Sequence, residues 1–274
     1  MPNLRYCVFP PGCSVPSEYP EKIALAGYLW DYEAQQLITP NHSNRADLLV
    51  FNDAAALPEE QTGLLVQRLL QAASQLHATG IWADFERPPT PPAIRLLQQL
   101  QEHNLHILAP ETYAVQTGAE PVVFWQPSDG SLAAFLQERT EEHRQPIWLD
   151  CAPVCRRIPL PVQPGADLDL DPDDPRIPTD QGHFCNALLL YYAVTGPAET
   201  PVLYLWDTPE TLSKRTALAA QAGLAGVLTL QPEIVALRHA HPPNDADTSP
   251  TFGSDASTTH HKTAQPEMQK TPLP

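Results

Sequence analysis

Short apolar runs alternate with helix-patterned stretches along this chain, and that alternation leaves few folds open. The runs lie at 22–30 (KIALAGYLW), 46–53, 80–86, 105–110, 121–126, 146–150, 201–206 and 226–230. Each has strand length and is rich in Val, Ile, Leu and aromatic residues. Between them, Pro58-Glu59-Glu60 opens a helix whose Leu64, Leu65, Leu69, Leu70, Ala73 and Leu76 recur at three- and four-residue spacings. Pro91-Pro92 opens a second with Ile94, Leu96, Leu97 and Leu100 inward, and 131–143 forms a third with Leu132, Phe135 and Leu136. The pattern adds a short helix over 31–38, an apolar one over 184–194 and another over 210–222. Strands alternating with helices predict a parallel sheet, and eight such strands can close on themselves. The expected fold is a single-domain (β/α)8 TIM-type barrel over 21–240, after an N-terminal lead at 1–20.

Two stretches stand outside the alternation. The excursion at 155–182 is acidic and proline-rich, and no regular structure is expected of it. Its Asp167, Asp169, Asp171 and Asp173 imitate a calcium loop, but Pro172 replaces the turn glycine and Pro178 the closing Glu, so an EF-hand is excluded. From 241 to 274 the chain turns to Pro, Ser, Thr, Asp and His, the composition of a disordered tail.

Within the alternation, 80–86 is the run that carries chemistry. Side chains alternate faces along a strand, so Trp82, Asp84 and Glu86 share one face while Ile81, Ala83 and Phe85 share the other. The C-terminal ends of barrel strands form the mouth where such folds hold their ligands. Reading those ends together collects Trp30, Asp31, Asn52, Asp53, Trp82, Asp84, Glu86, Glu111, Tyr113, Trp125, Gln126, Asp150, Trp206 and Asp207 as candidate ligand contacts. Carboxylates beside indoles suit a sugar, whose C–H faces stack on aromatic rings while its hydroxyls bond to acids. The same residues also have structural uses: Asp31 and Asp207 are placed to cap helices, and Trp82 lies deep enough to fill a core.

The strand Gly80-Ile81-Trp82-Ala83-Asp84-Phe85-Glu86 resembles the D-G-x-D-x-D-x-E strand of the family 18 glycoside hydrolases, the chitinase family, and of their non-catalytic relatives. Trp206-Asp207-Thr208-Pro209-Glu210-Thr211-Leu212-Ser213-Lys214 resembles that family's Y-D-D-x-x-S-x-x-x-K, and Gly223 to Val227 its G-L-x-G-V. The segment 146–150 is similar, more loosely, to its M-x-Y-D strand. Thr79 and Trp82 stand where the family carries two further Asp residues, Leu149 where it carries Tyr, and Leu230 where it carries the closing Trp. The family's strand is the fourth of its barrel, whereas the count from Lys22 makes it the third here.

The resemblance implies Glu86 as general acid and Asp84 as the group that orients a substrate N-acetyl group acting as internal nucleophile. It also implies an N-acetylhexosamine-containing glycan as the ligand, either bound without cleavage or hydrolysed by an altered mechanism. A non-enzymatic interaction protein on a hydrolase-derived barrel is the alternative. Trp82 predicts that one of the two carboxyls titrates above its ordinary range, because indole excludes water.

Charge narrows the partners. A formal net charge of −16 with no basic stripe argues against nucleic acid. No apolar run reaches the length of a membrane span and no secretory pattern opens the chain, so a cytoplasmic protein without membrane attachment is expected. The five cysteines read as reduced thiols, and neither a metal site nor a cofactor is expected.

Overall fold

A computed structural model of the protein describes residues 4–16, 19, 21–40, 45–53 and 57–231. The chain begins with β1 (Leu4–Phe9), β2 (Lys22–Asp31), β3 (Gln36–Ile38) and β4 (Leu48–Asn52). It continues through α1 (Thr62–Leu76), β5 (Gly80–Asp84), α2 (Pro91–Glu102), β6 (His106–Pro110), α3 (Glu111–Thr117), β7 (Glu120–Phe124), α4 (Leu132–Glu142) and β8 (Trp148–Asp150). Five further strands follow: β9 (Cys155–Pro159), β10 (Leu168–Asp169), β11 (His183–Cys185), β12 (Leu190–Thr195) and β13 (Val202–Trp206). Then α5 (Pro209–Gln221) leads to β14 (Gly226–Leu230).

Eight parallel strands close into a barrel in the order β1, β2, β4, β5, β6, β7, β8, β14, because β1 pairs in parallel with both β2 and β14. Alternate residues of these strands, among them Tyr6, Val8, Leu48, Val50, Trp82, Leu108, Val122, Trp148 and Leu228, fill the interior. Large and small residues interlock there: a Cβ on Gly226 would overlap the Trp148 ring and the Leu4 carbonyl. Trp148 in turn donates from Nε1 to Glu120 at 2.6 Å, and the same Glu120 oxygen meets His106 Nε2 at 2.7 Å. The opposite strand faces, with Leu49, Phe51, Ile81 and Ala83, pack against the buried stripes of α1 (Leu65, Leu69, Ala73) and α2 (Leu96, Leu97, Leu100).

The strand count of eight holds, but two of its members differ from the sequence pattern. Leu4–Phe9, assigned to the lead, is the first barrel strand. It is six residues long and ends directly at Pro10, and the partners that make it a strand lie at the next strand and at the far end of the chain. Conversely, 201–206, counted as the seventh barrel strand, forms β13 in a separate antiparallel sheet of order β10-β9-β13-β12-β11. With β1 included, the Asp84 strand β5 becomes the fourth of the barrel.

Three local assignments also change. The stretch 31–38 is a hairpin, not a helix: Asp31 Oδ1 accepts from the Glu33 and Ala34 amides at 3.0 and 2.9 Å, and β3 returns antiparallel to β2. The excursion at 155–182 contains β9 and β10. The stretch 184–194, expected as a helix, is a β11–β12 hairpin, where Tyr191, Tyr192, Val194 and Thr195 express their preference for strands. A short apolar run has no periodicity to separate the two states. This second sheet is inserted between β8 and α5; its Trp206 stacks on Tyr191 at 5.9 Å between ring centroids. The tail expected at 241–274 lies outside the described residues.

Candidate functional site

Strand β5 turns Trp82 and Asp84 toward the barrel interior, Trp82 buried and Asp84 half-buried above it at the mouth. Neighbouring β4 places Asn52 beside Asp84 in register. Asn52 Nδ2 donates to Asp84 Oδ2 at 2.7 Å and lies 3.4 Å from the Asp84 carbonyl oxygen. Burial pushes the Asp84 carboxyl above the ordinary Asp range; the Asn52 bond opposes this, and the charges of Glu86 and Asp53 reinforce it. The carboxyl therefore holds its proton to higher pH than a solvated Asp.

The strand ends at Asp84, so Glu86 lies past it with an exposed side chain. Its backbone is nonetheless fixed. Buried Asp53 accepts from the Glu86 and Arg87 amides at 2.9 and 3.1 Å, and Tyr113 donates its hydroxyl to the Arg87 and Pro88 carbonyls at 3.1 and 3.2 Å. Phe85 is clamped edge-on between Phe51 and Tyr113, at 5.8 and 5.0 Å. A cavity of about 340 Å³ opens beside this loop, lined by Asp53, Leu57, Arg87, Pro88, Thr90 and Tyr113.

The remaining sequence-selected residues divide between the mouth and the scaffold. Asp150 follows Trp148 at the end of β8 with the same inward parity. Trp30 lies in the outer layer and donates to Gln61 at 2.6 Å, while Asp31 caps its turn. Trp125 donates to the Gly130 carbonyl at 3.2 Å, and Gln126 caps the turn that follows, its amide donating to Asp129. Glu111 meets His143 at 2.9 Å on the helix layer, with Arg139 at 3.7 Å. Trp206 is in the inserted sheet. Asp207 is fully buried: it pairs with Arg215 at 2.8 Å and accepts from Thr211 Oγ1 at 2.6 Å and the Val154 amide at 2.7 Å.

Phe124 was not selected by the sequence pattern. It shares the inward parity of Val122 yet remains 49% exposed, an aromatic ring at the mouth above a cleft of about 330 Å³ shared with Gln126, Arg156 and Leu170. The alternation of Val122, Val123 and Phe124 carried that signal, but the adjacent Trp125 and Gln126 drew the assignment. Among the described residues, Glu111, Glu142 and His143 form the one three-ligand cluster of metal-binding type, and Arg139 already bonds to Glu142 within it. The five cysteines are thiols rather than disulfides, and burial pushes the Cys151 thiol up to about 12.

No protein-family model matches the chain, and no curated protein matches it. Solved structures do. A family 18 N-acetylglucosaminidase from Paenibacillus barengoltzii aligns with a TM-score of 0.61 at 11% identity, over 87% of this chain and 99% of that one. A chitinase from Rhizomucor miehei aligns at 0.58 and 10% identity, over 87% and 100%. A chitinase-like agglutinin from Robinia pseudoacacia aligns at 0.56 and 13% identity, over 79% and 91%. At these identities the likeness concerns the fold: this chain is built on the same barrel as hydrolases and as an agglutinin.

Proposed function

We propose that the barrel mouth binds an N-acetylhexosamine-containing glycan, with Asp84 as the carboxyl that orients the ligand. The observation that carries this reading is the Asn52–Asp84 pair at the mouth on the fourth barrel strand. A half-buried carboxyl at the mouth offers oxygens that bond to a sugar's hydroxyls and amide, which is the kind of polar point a sugar site needs. Asp150 and Phe124, at the ends of the adjacent strands β8 and β7, add an acid and an exposed ring to the mouth. The names of the fold relatives, an N-acetylglucosaminidase, a chitinase and an agglutinin, support the same ligand class. The cytoplasmic location expected from the sequence belongs to this reading and favours short oligosaccharides over wall polymers.

Binding without turnover is the preferred form. Trp82 fills the interior position directly below Asp84 and cannot accept a proton, and Glu86 stands in water past the end of its strand. Hydrolysis, with Glu86 as general acid and Asp84 orienting the N-acetyl group, is the second reading, supported by the fixed Glu86 backbone. Calorimetric titration with N-acetylglucosamine oligosaccharides tests the first: saturable binding that Asp84→Ala abolishes supports it, and no binding across a broad glycan panel removes it. In that event the alternative is a non-enzymatic interaction protein. Release of chromophore from N-acetylglucosaminides, lost in Glu86→Gln, would replace binding with hydrolysis.

A further inference from the structure

The end of the barrel opposite the mouth carries a further cavity, of about 640 Å³, formed where β1, β2 and β4 begin and α1 ends. Arg5, Lys22 and Arg45 line it together with Glu21 and Asp47, three cations against two carboxylates in a chain whose net charge is −16. The hydrogen-bond inventory of these groups is lopsided. Both Asp47 oxygens are engaged, Oδ1 by Lys22 Nζ at 2.8 Å and Oδ2 by the Ile23 amide at 2.9 Å. Both Glu21 oxygens are engaged as well: Oε1 meets Arg5 Nη1 at 3.2 Å, and Oε2 accepts from the Tyr19 hydroxyl at 3.2 Å and from the Cys7 thiol.

Arg5 and Lys22 retain capacity. Arg5 uses Nη1 on Glu21 and Nε on Thr229, two of the five N–H groups of a guanidinium. Lys22 spends one of its three donors on Asp47 and is 50% exposed. Among the described residues, the carboxylate oxygens are consumed by the fold while Arg5 and Lys22 keep donors to spare, so the cavity is matched to a ligand that brings acceptors and negative charge.

We propose that this cavity is a binding site for a small molecule bearing a phosphoryl group. Such a group brings close to two negative charges and three strong acceptor oxygens, and Arg and Lys are its usual partners. A carboxylate brings half that charge and fewer acceptors. The cavity lies within the size range of small-molecule sites, and Leu4, Ala46 and Leu76 give it an apolar wall for the body of the ligand. In an otherwise acidic molecule, this local excess of cationic donors is where an anion would be drawn.

The probes are inorganic phosphate, pyrophosphate and acetate, titrated calorimetrically into the full chain at constant ionic strength. The expected result is saturable binding of phosphate and pyrophosphate, at least about tenfold tighter than acetate, and weakened about tenfold in Arg45→Gln. Because Lys22→Gln leaves Asp47 without its partner, its folding is checked by thermal unfolding, and Arg45→Gln, at an exposed loop position, supplies the second variant. Phosphate binding no tighter than acetate, or an Arg45→Gln protein that binds pyrophosphate as the unaltered chain does, would overturn the proposal.

Discussion

Asn52 and Asp84 face each other across adjacent barrel strands with 2.7 Å between amide nitrogen and carboxyl oxygen, at the mouth and above the buried Trp82. The bond opposes the effect of burial on Asp84. Replacing Asn52 with Leu should therefore raise the Asp84 titration further. Carboxyl NMR of the two proteins measures this, and an unchanged or lower value in Asn52→Leu would show that the amide does not hold the charged form.

Asp84 also sets a direction for stability against pH. Its folded pKa is raised, so ionisation opposes folding, and stability falls as pH rises from the unfolded carboxyl range through the folded pKa. Asp84→Asn should escape that fall and be at least as stable as the unaltered protein at pH 7. At pH values below the unfolded pKa the difference between the two should become independent of pH. Urea unfolding across pH 3 to 8 is the measurement.

Glu120 behaves in the opposite sense. Burial acts to raise its carboxyl, but the bonds from His106 and the Trp148 indole outweigh this and hold it below the ordinary range. Its contribution to stability is present above the unfolded pKa and lost as pH falls through the folded one. Glu120→Ala also leaves the buried Trp148 N–H without an acceptor, which should cost about 1–3 kcal/mol at neutral pH. A cost that persists unchanged in acid would contradict the assignment.

Asp207 and Trp82 are predicted to act on the fold. Asp207→Ala leaves Arg215 as a buried cation without its carboxylate and should cost about 3–5 kcal/mol. Ligand affinity of the folded fraction should be unchanged. Trp82→Asp restores the acid found in the resembling family, yet should cost about 3 kcal/mol or more, because it empties core volume and buries a carboxyl. Denaturant unfolding of both variants checks the costs.

The barrel was legible in the sequence because its signal is periodic and local: α1 and α2 show their inward stripes, and β4, β5 and β6 are apolar runs bounded by turn residues. β1 was not, since only its parallel pairing with β2 and β14 identifies it. The hairpin at β11 and β12 carries a helix-like pattern in the sequence because its Ala187 to Leu190 run suits either state until the second sheet supplies partners. At the mouth, strand parity puts Trp82 and Asp84 on one face, but the chain leaves the strand after Asp84, so parity no longer governs Glu86. Asp53 and Asp207 beyond their strands, and Tyr113 in α3, are engaged with backbone groups or buried partners, and residue type alone does not separate that role from ligand contact.

The most direct test of the glycan reading is a crystal structure of the protein soaked with a short N-acetylglucosamine oligosaccharide. The account predicts a sugar in the barrel mouth with its acetamido group within hydrogen-bond distance of Asp84 and a ring face against Phe124. A mouth that stays free of sugar at saturating concentration, or an oligosaccharide held elsewhere with Asp84 untouched, would contradict it.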